Sequence, residues 1–279
     1  VSIAGVTTLK IVTLNLWGEQ PPLERRMQLA ADGLGALAPD VVGLHEVRQV
    51  PGAVANQAET LARALGMECY FEPATPWGGG DEGLAILSRH PIVARRVHEL
   101  PHAVPTERCL CLGVTVETPA GRVDVYTTHL NYRLADGGKR EDQIAALDEQ
   151  IAATQSVLPK ILCGDFNATP DSDEIRFLRG LHTAAGRRTF WQDAWERCHG
   201  RADGFTWARA NPYTARLRWL ERDRRLDYIF VSPMKRDGRG VVHDCRIALD
   251  RAASDGAYAS DHFALFAEVQ LAPLEEDPS

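Results

Sequence analysis

Short apolar runs that stop abruptly at a polar side chain restrict this chain more than any other feature. The sharpest is Ile161-Leu162-Cys163, which ends at Gly164 and is followed by Asp165 and Asn167. A run of that length, bounded by glycine, reads as a short buried strand. The form recurs. Residues 9–14 end at Asn15, residues 41–44 at His45-Glu46 and residues 123–128 at His129, while residues 226–231 carry Asp227 near their start and residues 263–271 follow Asp261-His262. About ten strands with four or five helices, in mixed order, suggest two sheets stacked face to face with helices outside. The expected class is α+β: a four-layer α/β/β/α sandwich of two mixed, mostly antiparallel sheets packed face to face, with helices outside.

The remaining chain fits that frame. Apolar residues at helical spacing predict helices over residues 23–38 (opened by Pro21-Pro22), 54–65 (stopped by Gly66), 139–157, 172–181 and 191–197. Further strands are expected over residues 67–71, 84–87 and 242–249, and half-exposed ones over 93–100 and 109–117, giving about ten in all. Residues 73–83, with Gly78-Gly79-Gly80, read as a mobile loop, and Pro119-Ala120-Gly121 as a hairpin turn. No repeat, linker or composition break divides the chain. One domain over residues 1–272 is expected, with 273–279 a disordered acidic tail.

Composition excludes some classes. With 44% apolar and 25% charged residues, the chain is not of a disordered type. No apolar run approaches the ~20 residues of a membrane span. Residues 1–9 lack the basic flank and apolar core of a signal peptide. The six cysteines (Cys69, Cys109, Cys111, Cys163, Cys198 and Cys245) form no zinc-type pattern, and most sit in apolar contexts. They read as buried free thiols, which suit a reducing cytoplasm; secretion would require a leader removed ahead of residue 1. Net charge is −7, so any nucleic-acid contact must come from a local basic patch.

Each polar tip has a bland reading. Asp and Asn are ordinary turn residues, and a histidine can simply end a sheet edge. Asp165 and Asn167, two apart, would share one face of an extended segment. A carboxylate and an amide offered together suit water activation and oxyanion contact, and they suit a turn equally well. What counts is six such tips in one chain.

Taken in order, the pieces resemble the endonuclease/exonuclease/phosphatase superfamily, with its deoxyribonuclease-I-like fold. They are Thr13-Leu14-Asn15, Leu44-His45-Glu46-Val47, Ile86-Leu87-Ser88-Arg89, Thr127-Thr128-His129-Leu130-Asn131, Gly164-Asp165-Phe166-Asn167, Arg225-Leu226-Asp227-Tyr228-Ile229 and Ser260-Asp261-His262. Any one tetrapeptide is weak evidence, whereas the ordered set is strong. Position 45 departs, being His where the family usually has Gln.

The resemblance implies metal-dependent attack of water on a phosphoester. It makes Glu46 the first ligand of Mg²⁺ (with Mn²⁺ as a substitute), places Asn15 beside it through its amide oxygen, and offers Asp261 as a third group. Asp165 would orient and deprotonate the water. Asn167, through its NH₂, and His262 would meet the developing charge on the phosphoryl oxygens. Asp227 would hold the His262 ring. His129 is left as leaving-group acid or phosphate contact, with Glu82 as its partner.

Two regions bear on substrate. Trp207, Tyr213 and Trp219 are interleaved with Arg209, Arg216, Arg218, Arg222, Arg224 and Arg225, a pattern that fits phosphate tracking and base stacking or else a solvated loop of ion pairs. Asn131 and Arg133 follow His129 and could steer a phosphate or simply open the next helix. A nuclease-type phosphodiesterase acting on nucleic acid as a monomer is the first expectation. A lipid or small-molecule phosphoester is the second, since Asn15-Leu16-Trp17-Gly18 is similar to the sphingomyelinase branch. A long apolar membrane-touching hairpin is not evident. The third, a non-catalytic binding module, predicts loss of Glu46, Asp165 or His262, and none is lost.

Overall fold

The structure is a computed structural model, described for residues 7–102, 107–184, 186–215 and 222–273. Its frame is two six-stranded sheets. The first holds β1 (Thr8–Asn15), β2 (Val41–Gln49), β3 (Glu68–Trp77), β4 (Gly80–Ser88), β11 (Val242–Ala248) and β12 (Ala264–Gln270), in the order β11-β12-β1-β2-β4-β3. The second holds β5 (Ile92–Leu100), β6 (Cys109–Thr118), β7 (Gly121–His129), β8 (Ile161–Asp165), β9 (Gln192–Asp193) and β10 (Asp227–Val231), in the order β5-β6-β7-β8-β10-β9. Each sheet has one parallel pair at its centre, β1 with β2 and β7 with β8; the remaining pairs are antiparallel. Parallel neighbours need a crossover, and α1 (Leu23–Leu37) and α3 (Gly137–Ala152) supply it.

Three apolar clusters fill the four layers. Leu9, Ile11, Ile86, Val114, Val125, Ile161 and Ile229 pack between the sheets. Val12, Leu14, Val42 and Leu44 face Ala30 and Leu34 of α1 and Leu61 of α2 (Gln57–Leu65). Tyr126, Leu162, Phe166 and Phe230 face Ile144 and Leu147 of α3 and Phe177 of α4 (Asp173–Leu178). Alternate residues of β1 and β8 thus enter different clusters, which is why apolar side chains point to both faces of each strand. β6 is buried along most of its length, not half-exposed, because β5 and β7 flank it and both of its faces are covered.

The sheets approach closely just below the polar tips. A Cβ at Gly43 would lie 2.6 Å from Cys163 Sγ and 2.7 Å from Thr127 Oγ1, so only glycine fits there. A Cβ at Gly164 would run into the carbonyl of Thr128, its partner in the parallel β7–β8 pair. The glycine lets β8 lie flush, and one step further the register sets His129 beside Asp165.

Several local expectations are corrected. Residues 73–83 are not a loop: β3 and β4 pair as a long hairpin down to Trp77↔Gly80, with Gly78 and Gly79 turning at positive φ. Helix α2 begins at Gln57, where Asn56 and Glu59 form a capping box, and Val54 before it is 98% exposed. Helix α3 stops at Ala152. The stretch expected as one helix from residue 191 is β9 followed by α5 (Ala194–His199). Among the described residues twelve strands stand where about ten were expected. All six cysteines are free, but only Cys111, Cys163 and Cys245 are buried, and Cys198 is exposed. Of the acidic tail, residues 274–279 lie outside those described.

Candidate active site

The polar tips meet at one end of the sandwich, around a cleft of about 660 Å³. Glu46, Glu82, His129, Asn131, Arg133, Asn167, Trp207, Asp261 and His262 line it. Asn15, Asp165 and Asp227 are buried and linked by contacts to these groups. Arg222 is exposed and is not among the lining residues.

Two carboxylates and two imidazoles organise the centre. Asp165 Oδ1 accepts the Asn167 N–H at 2.9 Å, so Asn167 (φ +49°) turns out of the strand; the two side chains do not share one extended face. Asp165 Oδ2 accepts from Asn15 Nδ2 at 3.1 Å. It also lies 3.7 Å from both His129 Nε2 and His262 Nε2, beyond hydrogen-bond length. On the far side of the ring, His262 Nδ1 meets Asp227 Oδ2 at 2.8 Å. Burial acts against charge on His262, but Asp227 and Asp165 outweigh it and hold the ring protonated, its pKa raised well above the ordinary histidine value. Burial likewise raises Asp165, yet His262, His129 and His45, with the Asn15 hydrogen bond, bring its carboxyl below the usual value. Asp227 is pushed up by burial despite the opposing His262.

The adjoining part of the cleft is acidic, with Glu46, Glu82 and Asp261. Glu46 sits at φ +51° where the β2–β4 register shifts, between Leu44 and Val47. Its Oε1 accepts from Asn15 Nδ2 at 2.9 Å. The Asn15 amide oxygen, expected beside an ion, instead accepts the Trp17 N–H at 2.8 Å, so Asn15 ties Glu46 to Asp165 through its nitrogen. Asp261 is pushed up to about 6, by burial first and then by Glu46 and Asp165, against His262. Glu82 is raised by burial and then by Glu46. Crowded carboxylate oxygens suit a hard divalent cation, and Glu46 with Asp261 fits one, although the buried Arg26 guanidinium lies near both.

Other expectations need adjustment. Among the described residues, no hydrogen bond or ion pair joins Glu82 to His129, although both line the cleft. Asn167 Nδ2 donates one hydrogen to Leu130 O at 3.0 Å, leaving its second N–H for the cleft. Trp207 is buried and bridged to both Arg224 and His262, and the Arg224 guanidinium lies 5.1 Å above its ring, so a base does not find that face open. Of the arginine segment it is Arg224, not Arg222, that lines the cleft, because the Trp207–Arg224 bridge fastens it there. Asn131 Oδ1 accepts the Arg133 N–H at 2.9 Å, and Arg133 stacks over Tyr132. Arg216, Arg218 and Trp219 lie outside the described residues.

The role of His45, noted in the sequence only as a departure, and some further contributors were not foreseen. His45 is fully buried, with Nε2 2.8 Å from Thr127 Oγ1 across the two sheets. Burial, then the neighbouring His129, lowers its pKa to about 3. Arg26, 1% exposed, donates to the carbonyls of Leu16, Gly18, Gln20 and Ala259 and underpins the loop after Asn15. One signal was available: Arg26 shares its four-residue spacing with Ala30 and Leu34, the buried stripe of α1. Thr206 and Asn211 gave none, since their partners are remote in sequence.

This four-layer sandwich, with its polar groups gathered at one end of stacked sheets, is of the deoxyribonuclease-I-like class. The chain belongs to the Endonuclease/Exonuclease/phosphatase family, which it matches over residues 12–262. No curated protein sequence matches it. Among solved structures it is similar to D. rerio TDP2 complexed with single-strand DNA product (TM-score 0.75, 20% identity, 94% of this chain and 98% of that one). It is also similar to an endonuclease/exonuclease/phosphatase from Beutenbergia cavernae DSM 12333 (0.70, 24%, 95% and 72%). The human Nocturnin catalytic domain with bound sulfate is a third (0.68, 21%, 95% and 95%). At these identities the likeness speaks to the fold alone.

Proposed function

We propose that the protein is a divalent-metal-dependent phosphoesterase that hydrolyses a P–O bond by in-line attack of water, of the nuclease type. One observation carries this reading: the Asp227–His262 pair and His129 converge on Asp165, with Glu46 and Asp261 beside them at the same cleft. Mg²⁺ or Mn²⁺ held by Glu46 and Asp261 would polarise a phosphoryl oxygen and neutralise charge as the ester breaks.

The chain's own groups do the rest. Asp165 stays ionised between two imidazoles and accepts a hydrogen bond from the attacking water, aligning it and taking its proton. His262, held cationic by Asp227, donates from Nε2 to the phosphoryl oxygens, where charge develops. The second N–H of Asn167 serves the same oxygens. His129, with a fifth of its side chain exposed, reaches the cleft to protonate the leaving oxygen or bind it. Arg133 and Arg224 flank the centre with positive charge, and Trp207 backs Arg224.

Nucleic acid is the favoured substrate. The family's name and the single-strand DNA product in the TDP2 complex support it. A lipid phosphoester is the second reading, and Trp77, 64% exposed at the end of the β3–β4 hairpin, favours it. The test is a panel of single- and double-stranded DNA, RNA, abasic DNA, sphingomyelin and inositol phosphates with Mg²⁺, Mn²⁺ or EDTA. EDTA-sensitive cleavage of a nucleic acid is the expected result. Turnover that survives both Asp165→Ala and His262→Ala would remove the mechanism.

A further inference from the structure

Two segments from opposite ends of the chain bear on the acidic wall: one holds Glu46 through the Asn15 amide, and the other carries Asp261. Asn15 ends β1 and Asp261 precedes β12, and in space both meet one loop, residues 206–214. Asn211 in that loop is 0% exposed. Its Nδ2 donates to the backbone carbonyls of Ser260 at 2.8 Å and Asp261 at 3.2 Å, so both amide hydrogens are used. Its Oδ1 accepts the Tyr213 N–H at 3.1 Å, which starts the short 3-10 helix Pro212–Thr214. That turn aims the Tyr213 ring at the other segment, where it stacks on Trp17 with centroids 4.7 Å apart. Trp17 in turn donates its N–H to Asn15 Oδ1, which fixes the amide that holds Glu46. At the start of the loop, Thr206 O accepts the Phe263 N–H and Thr206 Oγ1 accepts those of Leu226 and Asp227.

We propose that this loop is a clamp that presets the divalent-cation site: Asn211 fixes the backbone that presents Asp261, and Tyr213, through Trp17 and Asn15, fixes Glu46. The inference rests on Glu46 and Asp261 holding the ion. Asn211 and Tyr213 touch neither ion nor substrate; they are positioning residues. The arrangement has a physical reason. Glu46 raises the Asp261 carboxyl, so the two repel each other even with Arg26 nearby, and a brace keeps them gathered in the absence of a cation. A brace moves the cost of gathering them into folding, so it does not weaken ion binding. Groups that orient ligands in this way typically contribute 10–100-fold to metal affinity.

A plain loop asparagine would make the same hydrogen bonds, and the readout must separate the two. Calorimetric titration with Mn²⁺ gives the ion's affinity, and melting in EDTA gives the stability of the ion-free chain. Asn211→Ala is expected to weaken Mn²⁺ binding about 10-fold. Tyr213→Ala is expected to weaken it about threefold, on the scale of one lost ring stack. Tyr213→Phe, which keeps the ring, restores the wild-type value. Lower melting with unchanged Mn²⁺ affinity would make the loop merely structural and overturn the clamp. Wild-type protein that takes up no Mn²⁺ would instead overturn the cation reading itself, and the clamp with it. Should Asn211→Ala fail to fold, the Tyr213 pair decides alone, since that ring is half-buried and its loss leaves no buried carbonyl unpaired.

Discussion

His45 shows how much one residue at the join between the sheets can decide. Its Nε2 is spent on Thr127, its Nδ1 is buried without a partner, and its pKa falls to about 3 because burial penalises the cation. The unfolded chain takes that proton near pH 6.5, whereas the folded chain does not. Stability is therefore full above about pH 6.5 and falls as pH drops, by up to about 1.4 kcal/mol per unit until the folded group titrates. Urea unfolding from pH 7 to 4.5 checks this, with His45→Gln expected to show the shallower slope; equal slopes would assign the loss to other groups. His262 is decisive for chemistry: His262→Ala should cost roughly 10²-fold or more in kcat, on the scale of acid–base and oxyanion groups. Asp227→Asn should share part of that loss, because it removes the charge that keeps the ring protonated. Side chains like these were legible in the sequence because each stands at one end of an apolar run. Asn211 and Arg26 were not, because they serve backbone carbonyls up to 233 residues away, and no spacing records such a partner.

The strands were legible for the same reason as the tips, since a sheet covered on both faces leaves little room for polar residues. The β3–β4 hairpin was not. Its distal half carries Pro73, Pro76 and three consecutive glycines, all loop signals, yet cross-strand pairing with β4 and then β2 outweighs them. Helix α2 looked longer than it is because Val54 mimics the apolar stripe, while the true start is set by the Asn56–Glu59 box. Asn56→Ala should cost about 1 kcal/mol by loss of the cap, read as a shift in denaturant midpoint. Gly43 makes the stronger claim. Any side chain there must push Cys163 and Thr127 away, so Gly43→Ala should destabilise by about 1–3 kcal/mol. It should also disturb His45, which leans on the same Thr127 hydroxyl. A neutral effect would mean that the sheets slide apart freely at this point.

At the scale of the molecule, the charge balance ties stability to the ion. The chain carries a net −7 and concentrates Glu46, Glu82 and Asp261 on one wall of the cleft that is to receive an anion. Gathering them is unfavourable: Asp261 is pushed up to about 6 by burial, Glu46 and Asp165. A carboxyl raised in the folded state adds stability below its unfolded pKa and loses it as pH rises through about 6, so at neutral pH Asp261 costs the ion-free fold on the order of 3 kcal/mol. Two opposite outcomes follow from one substitution. Wild-type protein should melt about 5–10 °C higher in Mg²⁺ at 100 times its Kd than in EDTA, the linkage being about 2.7 kcal/mol. Asp261→Asn should melt higher than wild type in EDTA, because the repulsion is gone, yet gain little from Mg²⁺, because the ligand is gone too. The pair of melting curves checks both at once. A variant less stable than wild type in EDTA would show that Asp261 serves the fold, and the acidic wall would need another explanation.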